Sequence, residues 1–165
     1  MNASRWWATK IRQTMRYVFG RTRPAERDAL RSWLTVAQLE LFDSMHRADQ
    51  RHGLDVVESL RRSGHAEPDL LIAGLLHDAG KGRDLHLWHR IGWSISYRHR
   101  ALEPIIGRLP TFGKAFKVQR AHADVSAELA VAAGCSERTA DLIRHQSEPT
   151  DLELGTALML ADEAS

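Results

Sequence analysis

Apolar residues recur at intervals of three and four along this chain, and no stretch alternates residue by residue as a half-buried strand would. The pattern predicts an all-α domain. Thr35 with Gln38 reads as a capping box opening a helix to about Arg47, and a further helix carries Gln50 to Arg62 before Gly64 stops it. Pro68 stands at the start of a strongly apolar helix, Asp69 to Asp78, which Gly80 and Gly82 are expected to end. From about Asp84 a long helix follows, with Ile91, Ile95, Leu102 and Ile106 inward and Pro104 bending it. Residues 109–113 read as a loop. Ala121 to Ala133 forms the next helix, closed by Gly134, after which Ser136 caps a helix to about His145, with Cys135 as a small apolar staple before it. Beyond a break at Pro149, Thr150 and Glu153 read as a second capping box for a last helix that carries Leu160, Ala161 and Asp162. No internal repeat is present, so these helices are expected to pack as a compact bundle and not a solenoid.

Composition narrows this picture. In 165 residues, 43% are hydrophobic and 27% charged, which excludes disorder or low complexity as a description of the whole and fits one folded domain. The longest apolar runs, such as residues 70–76, are too short to span a bilayer. A lone cysteine cannot form an internal disulfide, and with no recognisable cleavable signal peptide the expected compartment is a reducing cytoplasm. The net charge of +2 conceals an asymmetry: residues 1–23 carry six basic side chains and no acid, whereas the other 142 residues sum to −4. The chain therefore divides into a basic amphipathic arm, 1–23, and a body, 24–165, whose charge gives little reason to expect nucleic-acid binding. In the arm, Trp7, Ile11, Met15 and Val18 form one apolar stripe. Residues 1–20 could lie on an anionic membrane, dock a partner, or pack on the chain's own bundle.

The nine histidines carry the chemistry. His77 and Asp78 stand side by side at the end of the most apolar helix, a costly place for two polar groups unless they are compensated. Capping and hydrogen bonding could compensate them in isolation. Other helices, however, offer His52, His122, His145 and Asp162, each near an element end or beside apolar residues. Ligands from different helices meeting in the interior are how an all-α fold builds a metal site. Four imidazoles and two carboxylates exceed what one ion needs if it also keeps an open position, and two divalent ions sharing a carboxylate fit better.

The series His52, His77-Asp78, Asp162 resembles the four-ligand signature of the HD-domain metal-dependent phosphohydrolase superfamily. His77-Asp78-Ala79-Gly80-Lys81 matches its central string, and the likeness covers roughly residues 36–165. Residues 122–127 and 143–145 are further similar to the extra histidine segments of branches that bind two metals, including dinucleoside tetraphosphate hydrolases and cyclic-dinucleotide phosphodiesterases. Residues 145–148 read His-Gln-Ser-Glu in place of His-His-Glu, and a Gly-Tyr-Pro string is absent, so neither cyclic-di-GMP hydrolysis nor a third metal is expected.

The resemblance implies an HD-domain helical bundle with an interior metal site. One ion (Fe, Mn, Co, Ni or Zn) would be held by His52, His77, Asp78 and Asp162, and a second by His122 and His145, with Asp78 bridging. The implied reaction is hydrolysis of a nucleotide or other small phosphoester or phosphoanhydride by metal-activated water. Lys81 is the leading candidate for a catalytic phosphate contact and Arg83 a weaker substrate-binding one, the alternative for both being cations that complement a helix terminus. Of the other histidines, His86, His89 and His99 read as surface or packing residues, with lining of the pocket mouth the alternative for His86 or His89, and His46 and His65 read as solvated. Trp88 and Trp93 could stack on a base but read first as packing. Asp49 and Arg51 are candidate supports for His52. Two other functions remain open on the sequence: a di-iron oxygenase using a similar ligand set, and a non-catalytic binding module.

Overall fold

A computed structural model describes residues 20–82, 108–109 and 111–165. Among them lie seven α-helices and no strand: α1 (Pro24–Leu30), α2 (Val36–Ser44), α3 (Arg47–Arg62), α4 (Pro68–Leu76), α5 (Phe112–Ala132), α6 (Glu137–Arg144) and α7 (Leu154–Ala164). A single 3-10 turn, Ala79–Lys81, follows α4. The all-α expectation holds. The long helix expected from Asp84, the basic arm up to residue 19, Arg83, Trp88, Trp93 and His86, His89 and His99 lie outside the described residues. No described helix is long and apolar enough to cross a membrane.

The bundle is organised around α4. Its residues Leu70, Leu71, Ala73, Gly74, Leu75 and Leu76 are all buried, so this short helix is apolar on every side and is wrapped by neighbours. Helices α3, α6 and α7 pack against it, and α5 packs along α6 and the 3-10 turn. Phe42, Val56, Leu60, Ile143 and Leu158 complete the core at essentially zero exposure. Two glycines permit the closest approaches. A Cβ at Gly53 would stand 2.4 Å from the Leu75 carbonyl oxygen, so only glycine lets α3 cross the end of α4 here, one residue beyond His52. A Cβ at Gly80 would stand 2.5 Å from the His122 carbonyl oxygen and 2.7 Å from the Ser126 nitrogen, so the turn is pressed onto α5.

Several boundaries differ from those read in the sequence. The Thr35–Gln38 capping box forms, with Thr35 Oγ1 accepting from Gln38 N and Gln38 Oε1 from Thr35 N. The helix it opens stops at Ser44, however, because Met45 is extended. His46 then caps α3, its Nδ1 accepting from the Ala48 amide at 3.2 Å, so it is a structural cap and not a solvated side chain. Helix α4 ends at Leu76, two residues before the expected Asp78. Helix α5 starts at Phe112, nine residues earlier than expected and inside the expected loop, since Ala115 and Phe116 are buried and Phe112 stacks edge-on against Phe116. His122 therefore lies within a helix and does not open one. The Thr150–Glu153 box does not form. Asp151 Oδ1 instead accepts from the Glu153 and Leu154 amides at 2.9 and 2.8 Å. Ser136 caps α6 as expected, accepting from Thr139 N, and its hydroxyl also donates to Asp69 at the start of α4. Cys135 is half-buried against the core, with the Gln38 amide on its sulfur.

Gly53→Ala is expected to destabilise the chain by about 2 kcal/mol, as overpacking against rigid backbone does. A thermal melt should show a midpoint lowered by roughly 4–8 °C; an unchanged midpoint would mean α3 and α4 are not locked at this crossing.

Candidate metal centre

His77 is the C-cap of α4 and Asp78 the residue that leads into the 3-10 turn, so both sit where the helix hands over to irregular backbone. Their side chains are 2% exposed. His77 Nδ1 donates to the Gly74 carbonyl at 3.0 Å, which turns Nε2 toward the carboxylates. His77 Nε2 lies 3.5 Å from Asp78 Oδ1 and 3.5 Å from Asp162 Oδ1. From α3, His52 Nε2 donates to Asp162 Oδ1 at 2.7 Å, and its ring meets that of His77 edge-on at 5.1 Å. One ligand atom from each of His52, His77 and Asp162 falls within 4.8 Å of the others. Three separate helices thus deliver three donors to one point.

Asp78 extends the cluster toward α5. His122 Nδ1 donates to the Gln119 carbonyl at 2.7 Å, leaving Nε2 aimed at Asp78, 3.6 Å from its Oδ1. Asp78 Oδ2 accepts from Lys81 Nζ at 2.6 Å. Among the described residues, Asp78 Oδ1 is the buried side-chain polar atom without a hydrogen-bond partner. An ionised oxygen buried without a partner costs several kcal/mol unless a cation meets it. The nitrogen and oxygen donors around it, with their tautomers set by backbone carbonyls, fit a divalent transition-metal ion.

The backbone of the site is fixed by residues that the sequence motifs did not single out. Ser126, fully buried on α5, accepts from the Gly80 amide at 2.8 Å and pins the turn. Gln146, just beyond α6, is buried, and its amide donates to the carbonyls of His77 and Ile143 at 3.3 and 3.1 Å. It holds the end of α4 in place. Their sequence signal is slight: Ser126 lies four residues after His122, and Gln146 directly follows His145.

The remaining candidates are placed differently. His145 caps the end of α6, with Nδ1 on the Asp141 carbonyl at 3.1 Å and 3.2 Å from the Asp141 carboxylate, so it is oriented by Asp141 and stands outside the His52–His77–Asp162 group. Arg51 does not support His52. It pairs with Glu26 at 2.7 Å and Asp55 at 2.8 Å and ties α1 to α3. Asp49 is buried in α3. His65 lies beside Glu67.

The electrostatics follow from this geometry. Burial pushes His77 down, but the adjacent Asp78 and Asp162 carboxylates outweigh it and raise its pKa to about 9. Burial likewise pushes Asp78 up, and Lys81 with His77 more than reverses this and holds it far below the usual carboxylate range. Asp162 is lowered despite burial by hydrogen bonds from His52 and His77. His122 is lowered, by burial first and then by the Lys81 ammonium. The centre is thus a set of anionic oxygens that gather whatever cations are nearby.

Comparison with family models, with curated proteins and with solved structures finds no match to this chain.

These shifts set the pH profile of the metal-free protein. The raised His77 contributes stability that is complete below its ordinary value of 6.5 and is lost as pH rises through about 9. The lowered Asp78 and Asp162 contribute stability that is complete above 3.8 and lost as pH falls through their depressed values. Urea midpoints measured with a chelator present should be highest between about pH 4 and 6.5 and decline toward pH 9. A midpoint that rises from pH 6.5 to 9 would contradict the charge pattern described.

Proposed function

We propose that this chain is a metal-dependent phosphohydrolase of the HD-domain kind, acting on a nucleotide or other small phosphoester or phosphoanhydride. The supporting observation is the grouping of His52, His77 and Asp162, with donor atoms within 4.8 Å of one another, beside the buried Asp78 Oδ1, which lacks a hydrogen-bond partner and lies 3.5 Å from His77 Nε2. These four residues would hold a divalent ion, with His122, whose Nε2 lies 3.6 Å from Asp78 Oδ1, as a further donor. When bound, such an ion supplies acidification of a water molecule and neutralisation of phosphate oxygens.

The protein's own part is positioning. His77 and Asp78 form a dry floor, while the side chains of His52 and Asp162, 26% and 40% exposed, form the rim on which a substrate arrives. Backbone carbonyls lock the His77 and His122 rings, so neither ring has to reorganise during the reaction. Lys81 adds a fixed positive charge in the same pocket, suited to the charge that grows on phosphate oxygens in the transition state.

Asp162 offers the cleaner test, because it is half-exposed and its removal leaves the Asp78–Lys81 pair intact. Asp162→Asn should fold normally yet lose bound metal, and lower kcat/KM on a phosphorylated substrate by roughly a hundredfold or more. The substrate is to be found by screening phosphorylated metabolites with Mn²⁺, Fe²⁺, Co²⁺ and Ni²⁺. Hydrolysis persisting without oxygen would separate this reading from an oxygenase, and full activity in the Asp162→Asn chain would refute it.

A further inference from the structure

The two oxygens of Asp78 have different surroundings. Oδ1 has no hydrogen-bond partner and lies 3.5 Å from His77 Nε2 and 3.6 Å from His122 Nε2. Oδ2 is engaged by Lys81 Nζ at 2.6 Å. Both members of this pair are sheltered, with side chains 2% and 14% exposed, so their attraction is weakly screened. Lys81 is also held by the fold. It closes the 3-10 turn that begins after Asp78, and that turn is clamped on α5 by the Ser126 hydroxyl and by the close approach of Gly80 to the His122 carbonyl.

A carboxylate that bridges two ions through both its oxygens gives one oxygen to each. Here one oxygen already carries a cation supplied by the chain. Neither candidate ligand of a second ion faces that oxygen, since His122 Nε2 stands against Oδ1 and His145 is turned to Asp141. We propose that the Lys81 ammonium is the second cation of this centre, standing where a bridging ion would otherwise bind, so that the chain takes up one divalent ion and not two. The first ion uses Asp78 Oδ1 with His52, His77 and Asp162. Lys81 supplies the remaining positive charge without a ligand set of its own. This inference rests on the reading of the cluster as a metal centre.

The test is metal stoichiometry and affinity of the full chain with Mn²⁺, by elemental analysis after dialysis and by titration calorimetry. Lys81→Gln removes the charge while keeping a donor for Asp78 Oδ2, and Lys81→Arg keeps the charge. Wild type and Lys81→Arg should bind one ion per chain. Lys81→Gln should bind two, its second-site dissociation constant lower than any weak second binding by wild type by roughly a hundredfold, as expected when a unit charge about 4 Å away is removed. Two ions in wild type with the affinities of Lys81→Gln, or one ion in folded Lys81→Gln, would overturn the proposal. No ion in any of the three would instead defeat the metal-centre reading beneath it. If Lys81→Gln does not fold, His122→Ala decides: unchanged stoichiometry and affinity support Lys81 as the second cation, and a lost ion shows that His122 already holds one.

Discussion

The structure depends on compensating one buried carboxylate. Asp78 lies just past the C-terminus of α4, the most apolar of the described helices, where the helix dipole already presents partial negative charge. A second anion there is of the wrong sign, and it is almost fully removed from water. Such a group survives only with cations or strong donors arranged around it, and removing one partner of a buried pair typically costs about 3–5 kcal/mol. Lys81, the raised His77 and the nearby His122 form that arrangement. Much of the remaining architecture serves to hold them there: Gly53 lets α3 bring His52 against α4, and Gly80 with Ser126 presses the turn onto α5.

Even so, the compensation is incomplete. Asp78 Oδ1 has no hydrogen-bond partner, although the His77 and His122 rings stand 3.5 and 3.6 Å from it. A stability-driven core would have replaced this carboxylate with an apolar side chain, because buried ion pairs are seldom more favourable than packing. A carboxylate at the meeting point of α3, α4, α5 and α7 is therefore the observation on which the proposed metal site rests. The cluster runs from His77 and Asp78, 2% exposed, to Asp162, 40% exposed, so it has a buried end and a solvent end.

The helical class was legible in the sequence, and so were His77 and Asp78 as candidate ligands, because both rest on strong local signals. The apolar run of α4 next to His77-Asp78, and the capping box at Thr35, need only neighbouring residues to be read. The helix starts that were missed depend on tertiary packing: α5 runs through Gly113 because Ala115 and Phe116 find a core to fill, which no local propensity reveals. Capping by His46 and by Asp151 replaced the motifs expected nearby, since several polar residues competed for the same amide groups. His145 and Arg51 show the limit of spacing arguments. Each lies beside a candidate ligand or at a helix end, yet the direction of its side chain is set by Asp141 in one case and by Glu26 and Asp55 in the other. Ser126 and Gln146 act only through backbone groups, and a sequence carries almost no signal for that role.

The central claim is that the unpaired oxygen of Asp78 marks where a metal ion binds. Anomalous diffraction from crystals of the full chain grown with Mn²⁺ or Co²⁺ tests it directly. The account predicts a peak roughly 2.0–2.3 Å from His77 Nε2 and from a carboxylate oxygen of Asp78. A fully loaded crystal with no peak between those atoms, and Asp78 still held by Lys81 alone, would contradict it.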